Sequence, residues 1–256
     1  MSAREAGTPT ALERSDTRIG DLRIHAVHMG AGPPIVLLHG LSGSHFWWRY
    51  TAPVLARRFR VHIPELVGFG RSTRPAPATI ADAVAAVLAW WNAREIGTAD
   101  VIGHSMGGQI AIHIATETPA LVRRLVLAAP AGIPRPLRAT ELARLVAELV
   151  PPRAWGRLGF LPTIALDAVR AGPGSLAAAA RGLLRDDVRP LLPRIRQPTL
   201  LLWGEHDPLI PVEYAHEMAR AIPDARVIVL EQSSHNPMAD RPDVFARAVL
   251  EFLRDE

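Results

Sequence analysis

The chain has 256 residues, 48% of them apolar, which suits one large α/β domain or two small ones with a sizeable core. Its formal net charge is only +4, and its 29 non-histidine basic residues are all Arg, interleaved with 25 acidic ones, a pattern that argues against nucleic-acid binding. No apolar run reaches the ~18 residues of a membrane span, and the absence of Cys excludes disulfides, thiolate metal sites and Cys nucleophiles.

The opening stretch, MSAREAGTPTALERSDTRIG, is polar and mixed in charge, without the apolar core of a signal peptide. Residues 1–16 are therefore expected to form a loose leader, and a cytoplasmic protein is the default expectation. TRIGDLRIHAVHMG reads as two strands around a Gly20-Asp21 turn. PPIVLLHG is a buried strand ending in His39-Gly40, and RFRVHIPE is another ending near Pro64. ATIADAVAAVLAWWNARE has helical spacing with Thr79 as N-cap. ADVIGHS is a strand, GQIAIHIATE a helix and RRLVLAAP the next strand. PTLLLWGEHD and ARVIVLEQSSH are two more strands around the helix VEYAHEMARAI, and DVFARAVLEFL closes the chain as a helix. Short apolar strands alternating with helices predict an α/β fold: a mostly parallel sheet covered on both faces.

One stretch breaks the alternation. Residues 132–196 carry Leu- and Ala-rich helical segments, RATELARLVAELVPP, PTIALDAVRAG and SLAAAARGLLRDDV, punctuated by Pro and Gly, with no good strand among them. They read as a helical insertion between two parts of one sheet domain, 17–131 and 197–256. Pro151-Pro152 and Gly172-Pro173-Gly174 are the expected breaks.

The chemistry centres on VIGHSMGGQIA. Gly103-His104-Ser105-Met106-Gly107 fits G-x-S-x-G between a predicted strand and a predicted helix, where a strained turn exposes a Ser hydroxyl at the helix N-terminus. A hydroxyl needs a base, and the base needs an orienting acid. His235 is the best base, on a loop after the last predicted strand. Asp207, in GEHDPLIP after TLLLW, is the best acid, with Glu205 as its rival. The oxyanion requires two backbone donors. These are expected to be the N–H groups of Met106 and of Leu41, where Gly40 allows close approach. Trp47, Trp155 and Phe160 are candidate substrate-lining aromatics, with core packing as the competing assignment. The Arg residues of the insertion read as a solvated helix face, with binding of an anionic substrate as the alternative.

Taken in order, HGLSGS, GHSMGG, GEHDPLIP and SSHNPMADRP make the chain resemble the α/β-hydrolase fold superfamily, near its single-domain esterase-like branch, over about residues 17–254. The order Ser105, Asp207, His235 is the family's order. PELVGFGRS departs from the family's D-x-x-G-x-G-x-S turn in having Glu65 for Asp. The insertion lies where the family carries its cap. The resemblance implies a serine hydrolase acting on a small-molecule ester or similar acyl bond, with neither cofactor nor metal; the Leu- and Ala-rich faces of the insertion are expected to close an apolar pocket that favours an apolar or aromatic acyl group. Ser105 argues against relatives with an Asp nucleophile. C–C bond hydrolases, lactonases, cofactor-free haloperoxidases and a lyase share the Ser, although Asn236 stands where many C–C hydrolases have Trp. Receptor-like members that bind without turnover form the alternative outside catalysis.

Overall fold

The computed structural model describes residues 12–134 and 156–254. Every predicted strand joins one eight-stranded sheet. In chain order these are β1 Glu13–Ile19, β2 Leu22–Met29, β3 Pro34–Leu38, β4 Arg60–Pro64, β5 Ala99–His104, β6 Val122–Ala128, β7 Thr199–Gly204 and β8 Ala225–Leu230. The spatial order is β1-β2-β4-β3-β5-β6-β7-β8. β1 and β2 pair antiparallel, as do β2 and β4, and every later pair is parallel. β1 starts at Glu13, so the sheet domain begins before the expected boundary at residue 17. The cause is cross-strand pairing: polar residues 13–16 lie on an edge strand and need only β2 as partner, so no apolar run marks them.

The two-residue side-chain period divides the sheet's apolar residues between two cores. Val36, Leu38, Val101, Leu201 and Trp203 face one side, where helices α2 (Ile80–Ala93), α3 (Met106–Glu117) and α5 (Glu213–Ala221) contribute Trp90, Trp91, Ile110 and Met218. Ile35, Leu37, Ile102, Leu200 and Leu202 face the other, against Leu55 of the short α1 (Ala52–Leu55) and Phe245, Val249 and Phe252 of α7 (Pro242–Phe252). Thr79 caps α2 as expected, its Oγ1 accepting the Asp82 N–H at 3.1 Å. The short helices α1 and α6 (Pro237–Asp240) were not legible, because four residues carry no period.

Between β6 and β7 the described residues form helices and loops and no strand. Helix α4 (Leu161–Arg185) is two helical pieces joined at Gly172, whose φ of 74° and ψ of 163° break the ladder just before Pro173. Only a residue without Cβ takes that conformation readily. RATELARLVAELVPP, with Pro151-Pro152, lies outside the described residues.

The β2–β4 register places His28 opposite His62. Their Nδ1 atoms are 3.0 Å apart, and His28 Nε2 meets Ser15 Oγ at 2.7 Å. Two imidazolium rings would oppose proton to proton across that contact. Burial pushes His28 down to about 4 and His62 to about 3, with Arg60 and Arg94 adding positive potential. In the unfolded chain both rings protonate near pH 6.5. The unfolded state thus binds more protons between pH 6.5 and 3, so stability falls as pH drops through that window. The unfolding free energy at pH 4.5 should lie below that at pH 7 by on the order of 2 kcal/mol for each ring. Urea denaturation of wild type and His62→Gln checks this: the variant should lose part of the pH dependence, and an unchanged dependence would assign it elsewhere.

Candidate active site

β5 ends at His104 and α3 begins at Met106, so a single residue makes the turn. Ser105 makes it with φ 50° and ψ −117°, a region costly for any side chain with a Cβ. Its backbone is held by three bonds: its N–H donates to Ala128 O at 3.1 Å, and its carbonyl accepts from Gln109 and Ala131 N–H at 3.0 Å each. The flanking glycines are forced by contact. A Cβ on Gly103 would sit 2.5 Å from Gly107 O, and one on Gly107 would sit 2.4 Å from Leu38 O. Met106 is the first residue of α3, so its N–H has no acceptor within the helix.

The chain leaves β3 for β4 on one side and later returns to β5 on the other. This reversal opens a crevice at the C-terminal ends of β3 and β5. Into it run Ser105 and the turn after β3, where Gly43 N–H donates to Gly40 O at 3.1 Å. A Cβ on Gly40 would lie 3.1 Å from Ser105 Cβ, so glycine lets this turn, carrying the half-buried Leu41, close against Ser105. His39 anchors it: Nδ1 donates to Gly40 O at 2.8 Å while Nε2 accepts the Leu66 N–H at 3.0 Å. That pattern requires a neutral ring, and burial holds the His39 pKa below its usual value.

The loops after β7 and β8 meet in the same place. His235 Nδ1 donates to Asp207 Oδ2 at 2.8 Å. Asp207 Oδ1 accepts the N–H groups of Leu209 and Ile210 at 2.9 Å each, and its side chain is fully buried. Glu205 turns outward, half exposed, toward His206 Nε2 at 3.6 Å and the Gln232 N–H at 3.2 Å. The backbone of His235 is tied to the turn before Ser105: His104 Nε2 donates to His235 O at 2.8 Å, and the two rings lie 4.9 Å apart. Burial, with His235 nearby, drives His104 well below the ordinary histidine pKa, so it serves as a neutral strut. Asp240 braces the His235 loop by accepting Ser234 N–H at 2.8 Å, and it reaches the insertion by accepting Arg157 N–H at 2.7 Å. Burial raises its pKa.

Trp47 is buried, with its ring 5.5 Å from His104 and 5.9 Å from Phe160. Phe160, also buried, ends the turn Leu158–Phe160 just before α4 and packs edge-on against Trp47. Trp155 lies outside the described residues. Among the described residues no group of three His, Asp or Glu side chains is arranged to hold a metal ion.

Glu65, Asp167 and Asp240 take structural parts that the sequence did not assign. Glu65 accepts His45 Nδ1 and Arg71 N–H, both at 2.6 Å. Burial pushes its pKa up, but the hydrogen bonds from His45 and the Arg71 N–H outweigh it and bring it down to about 2. The longer Glu thus serves the turn in which the resemblance expects Asp. Asp167 of α4 accepts Ser44 Oγ at 2.7 Å and Trp47 Nε1 at 3.1 Å while 2% exposed. The available signal was a lone acid in the apolar segment TIALDAVRAG. Asp240 had none, since an Asp before Arg-Pro reads as an ordinary cap.

The alpha/beta hydrolase family model matches residues 35–248. A pimeloyl-[acyl-carrier protein] methyl ester esterase of Vibrio atlanticus (strain LGP32) is 30% identical over 251 residues, covering 88% of this chain and 96% of that protein. A thermophilic esterase from Thermogutta terrifontis superposes with a TM-score of 0.82 at 28% identity, over 94% of this chain and 98% of its own. The enol-lactonase from Burkholderia xenovorans LB400 shares the fold, with a TM-score of 0.79 at 24% identity over 94% of this chain and all of its own.

The contacts around the turn make a direct prediction. Gly107→Ala should destabilise the protein by about 3 kcal/mol or more, because its Cβ meets a strand carbonyl that cannot move aside. Gly159→Ala, with open space at that position, should be near neutral. Thermal unfolding of both variants checks this, and equal melting temperatures would refute the steric account.

Proposed function

The chain belongs to the alpha/beta hydrolase family and is an ester hydrolase acting on a small-molecule substrate; from that premise we propose that Ser105, His235 and Asp207 form its catalytic triad. Ser105 Oγ attacks the ester carbonyl while His235 Nε2 takes its proton. The Leu41 and Met106 amides hold the oxyanion. The C–O bond then breaks, and His235 returns the proton to the leaving alcohol. Water, deprotonated by the same ring, releases the acid and restores Ser105. Asp207 keeps the proton on Nδ1, so that Nε2 is the free base, and stabilises the imidazolium.

The observation that supports this reading best is the buried Asp207–His235 pair, with its carboxylate saturated by two backbone N–H groups, beside the single-residue turn at Ser105. Residues 132–196 are read as a cap over that site. Support comes from Phe160 on Trp47, from Asp167 bonded to Ser44 and Trp47, and from Ser175 Oγ accepting the Ala76 N–H at 3.3 Å. We place Trp47 and Phe160 with the substrate-facing side of this cap; for Trp155, outside the described residues, a substrate-binding role rests on the sequence alone. The similarity to a pimeloyl-[acyl-carrier protein] methyl ester esterase supports a medium-length acyl group with a small alcohol as leaving group.

A fluorophosphonate probe should attach once, at Ser105, and Ser105→Ala should abolish both labelling and turnover across acyl esters of graded chain length, with lactones and β-diketones run alongside. Turnover of esters above the others is the expected result. Undiminished labelling or turnover in Ser105→Ala would refute the assignment.

Asp207→Asn should lower kcat by on the order of 10⁴, as loss of a triad acid does, while Glu205→Gln stays near wild type. Steady-state kinetics on one activated ester distinguishes them, and the reverse pattern would make Glu205 the acid.

A further inference from the structure

A cavity of about 690 Å³ opens between β2, the turn after β4 and helix α4. Its volume is in the range of small-molecule sites. Arg23, Arg71, Arg74 and Arg170 line it, above Glu65 and Asp167, whereas Ser105, Asp207 and His235 do not reach it.

The arginines here are held differently from others on the chain. Arg123 pairs with Asp100 at 2.6 Å and Arg189 with Asp187 at 2.7 Å. Around the cavity the acceptors are carbonyls: Arg23 Nη2 donates to Arg71 O at 2.8 Å, and Arg74 Nη2 donates to Gly70 O at 2.7 Å. Such bonds orient a guanidinium without neutralising it. Among the described residues the Arg71 guanidinium has no hydrogen bond or ion pair. Arg23 stands 3.6 Å from Asp16, both about half exposed, and Arg170 stands 3.9 Å from Asp167, loose contacts of little strength. Glu65 and Asp167 are already bonded inward, to His45 and Arg71 N–H and to Ser44 and Trp47. Four guanidinia over two committed carboxylates leave the cavity positive.

We propose that this cavity is an anion site, separate from Ser105, for a ligand bearing a phosphate or carboxylate group. Planar guanidinium forks match the oxygens of both groups. Here they converge from three separate parts of the chain, which a solvated helix face would not produce. A bound anion bridges Arg170 on α4 to Arg23, Arg71 and Arg74 beside the sheet and so ties the insertion to the core.

The test is calorimetric titration of the full chain with inorganic phosphate and, in a second arm, succinate, at ionic strength held constant with sodium chloride, alongside melting temperature. Saturable binding of at least one anion and a saturable rise in melting temperature are expected, with affinity weakened about tenfold in Arg71→Gln and in Arg170→Gln. Arg189→Gln, on the already paired surface arginine, should bind as wild type. Saturation by phosphate alone assigns a phosphate group, and by succinate alone a carboxylate. A linear, non-saturating response in both arms, or binding unchanged in both cavity variants, overturns the proposal. Ester turnover plays no part in the readout, so the result stands apart from the triad assignment.

Discussion

The close approach of the β5–α3 turn to the end of β3 is the constraint on which the rest depends. One residue must reverse the chain from strand to helix, and Gly107 must pass against the Leu38 carbonyl with no room for a Cβ. The reversal forces Ser105 to positive φ, and three backbone bonds, with β6, α3 and the loop after β6, hold it there. The strain thus rests on the most buried part of the sheet, where neighbouring strands leave the turn no other conformation. The same approach sets the loop after β3 against Ser105, so the turn and the proposed oxyanion donors are consequences of one packing event.

Neutral histidines and saturated carboxylates hold the surrounding loops. His39 and His104 are buried, kept below their ordinary pKa, and used as hydrogen-bond struts to backbone carbonyls. Asp207, its side chain fully buried, accepts three hydrogen bonds, from the Leu209 and Ile210 N–H groups and from His235 Nδ1. A buried charge is tolerable only when so bonded, and the bonding also fixes orientation. Glu65 follows the same rule at the turn after β4, where a longer acid reaches His45 and the Arg71 N–H together.

The insertion is joined to this framework by polar contacts as well as apolar ones. Asp167 bonds to Ser44 and Trp47, and Asp240 to the Arg157 N–H, across 83 to 123 residues of chain. Directional bonds specify where a helix sits, which Ala-rich faces alone specify weakly. Trp47 is the shared element: its ring touches His104 beside Ser105 and Phe160 of the insertion, while its Nε1 is fixed by Asp167.

Local signals settled much of this protein in the sequence. Apolar runs of strand length, the Thr79 cap, the glycines around Ser105 and the break at Gly172 each reflect a requirement acting within a few residues, so they appear as pattern. The candidate acid and base were legible because each follows a strand end, where parallel sheets place their loops. What tertiary structure decided depends on register and distance. The choice of Asp207 over Glu205 as partner of His235 rests on which carboxylate turns inward, two residues apart in one loop. The polar start of β1 was hidden because its partner strand, not its own composition, makes it a strand. The His28–His62 pair exists only through the β2–β4 register, and the arginines around the cavity beside α4 come from segments far apart in the chain. Contacts of that kind leave no periodic trace in a single chain, because nothing nearby in sequence is required to change with them.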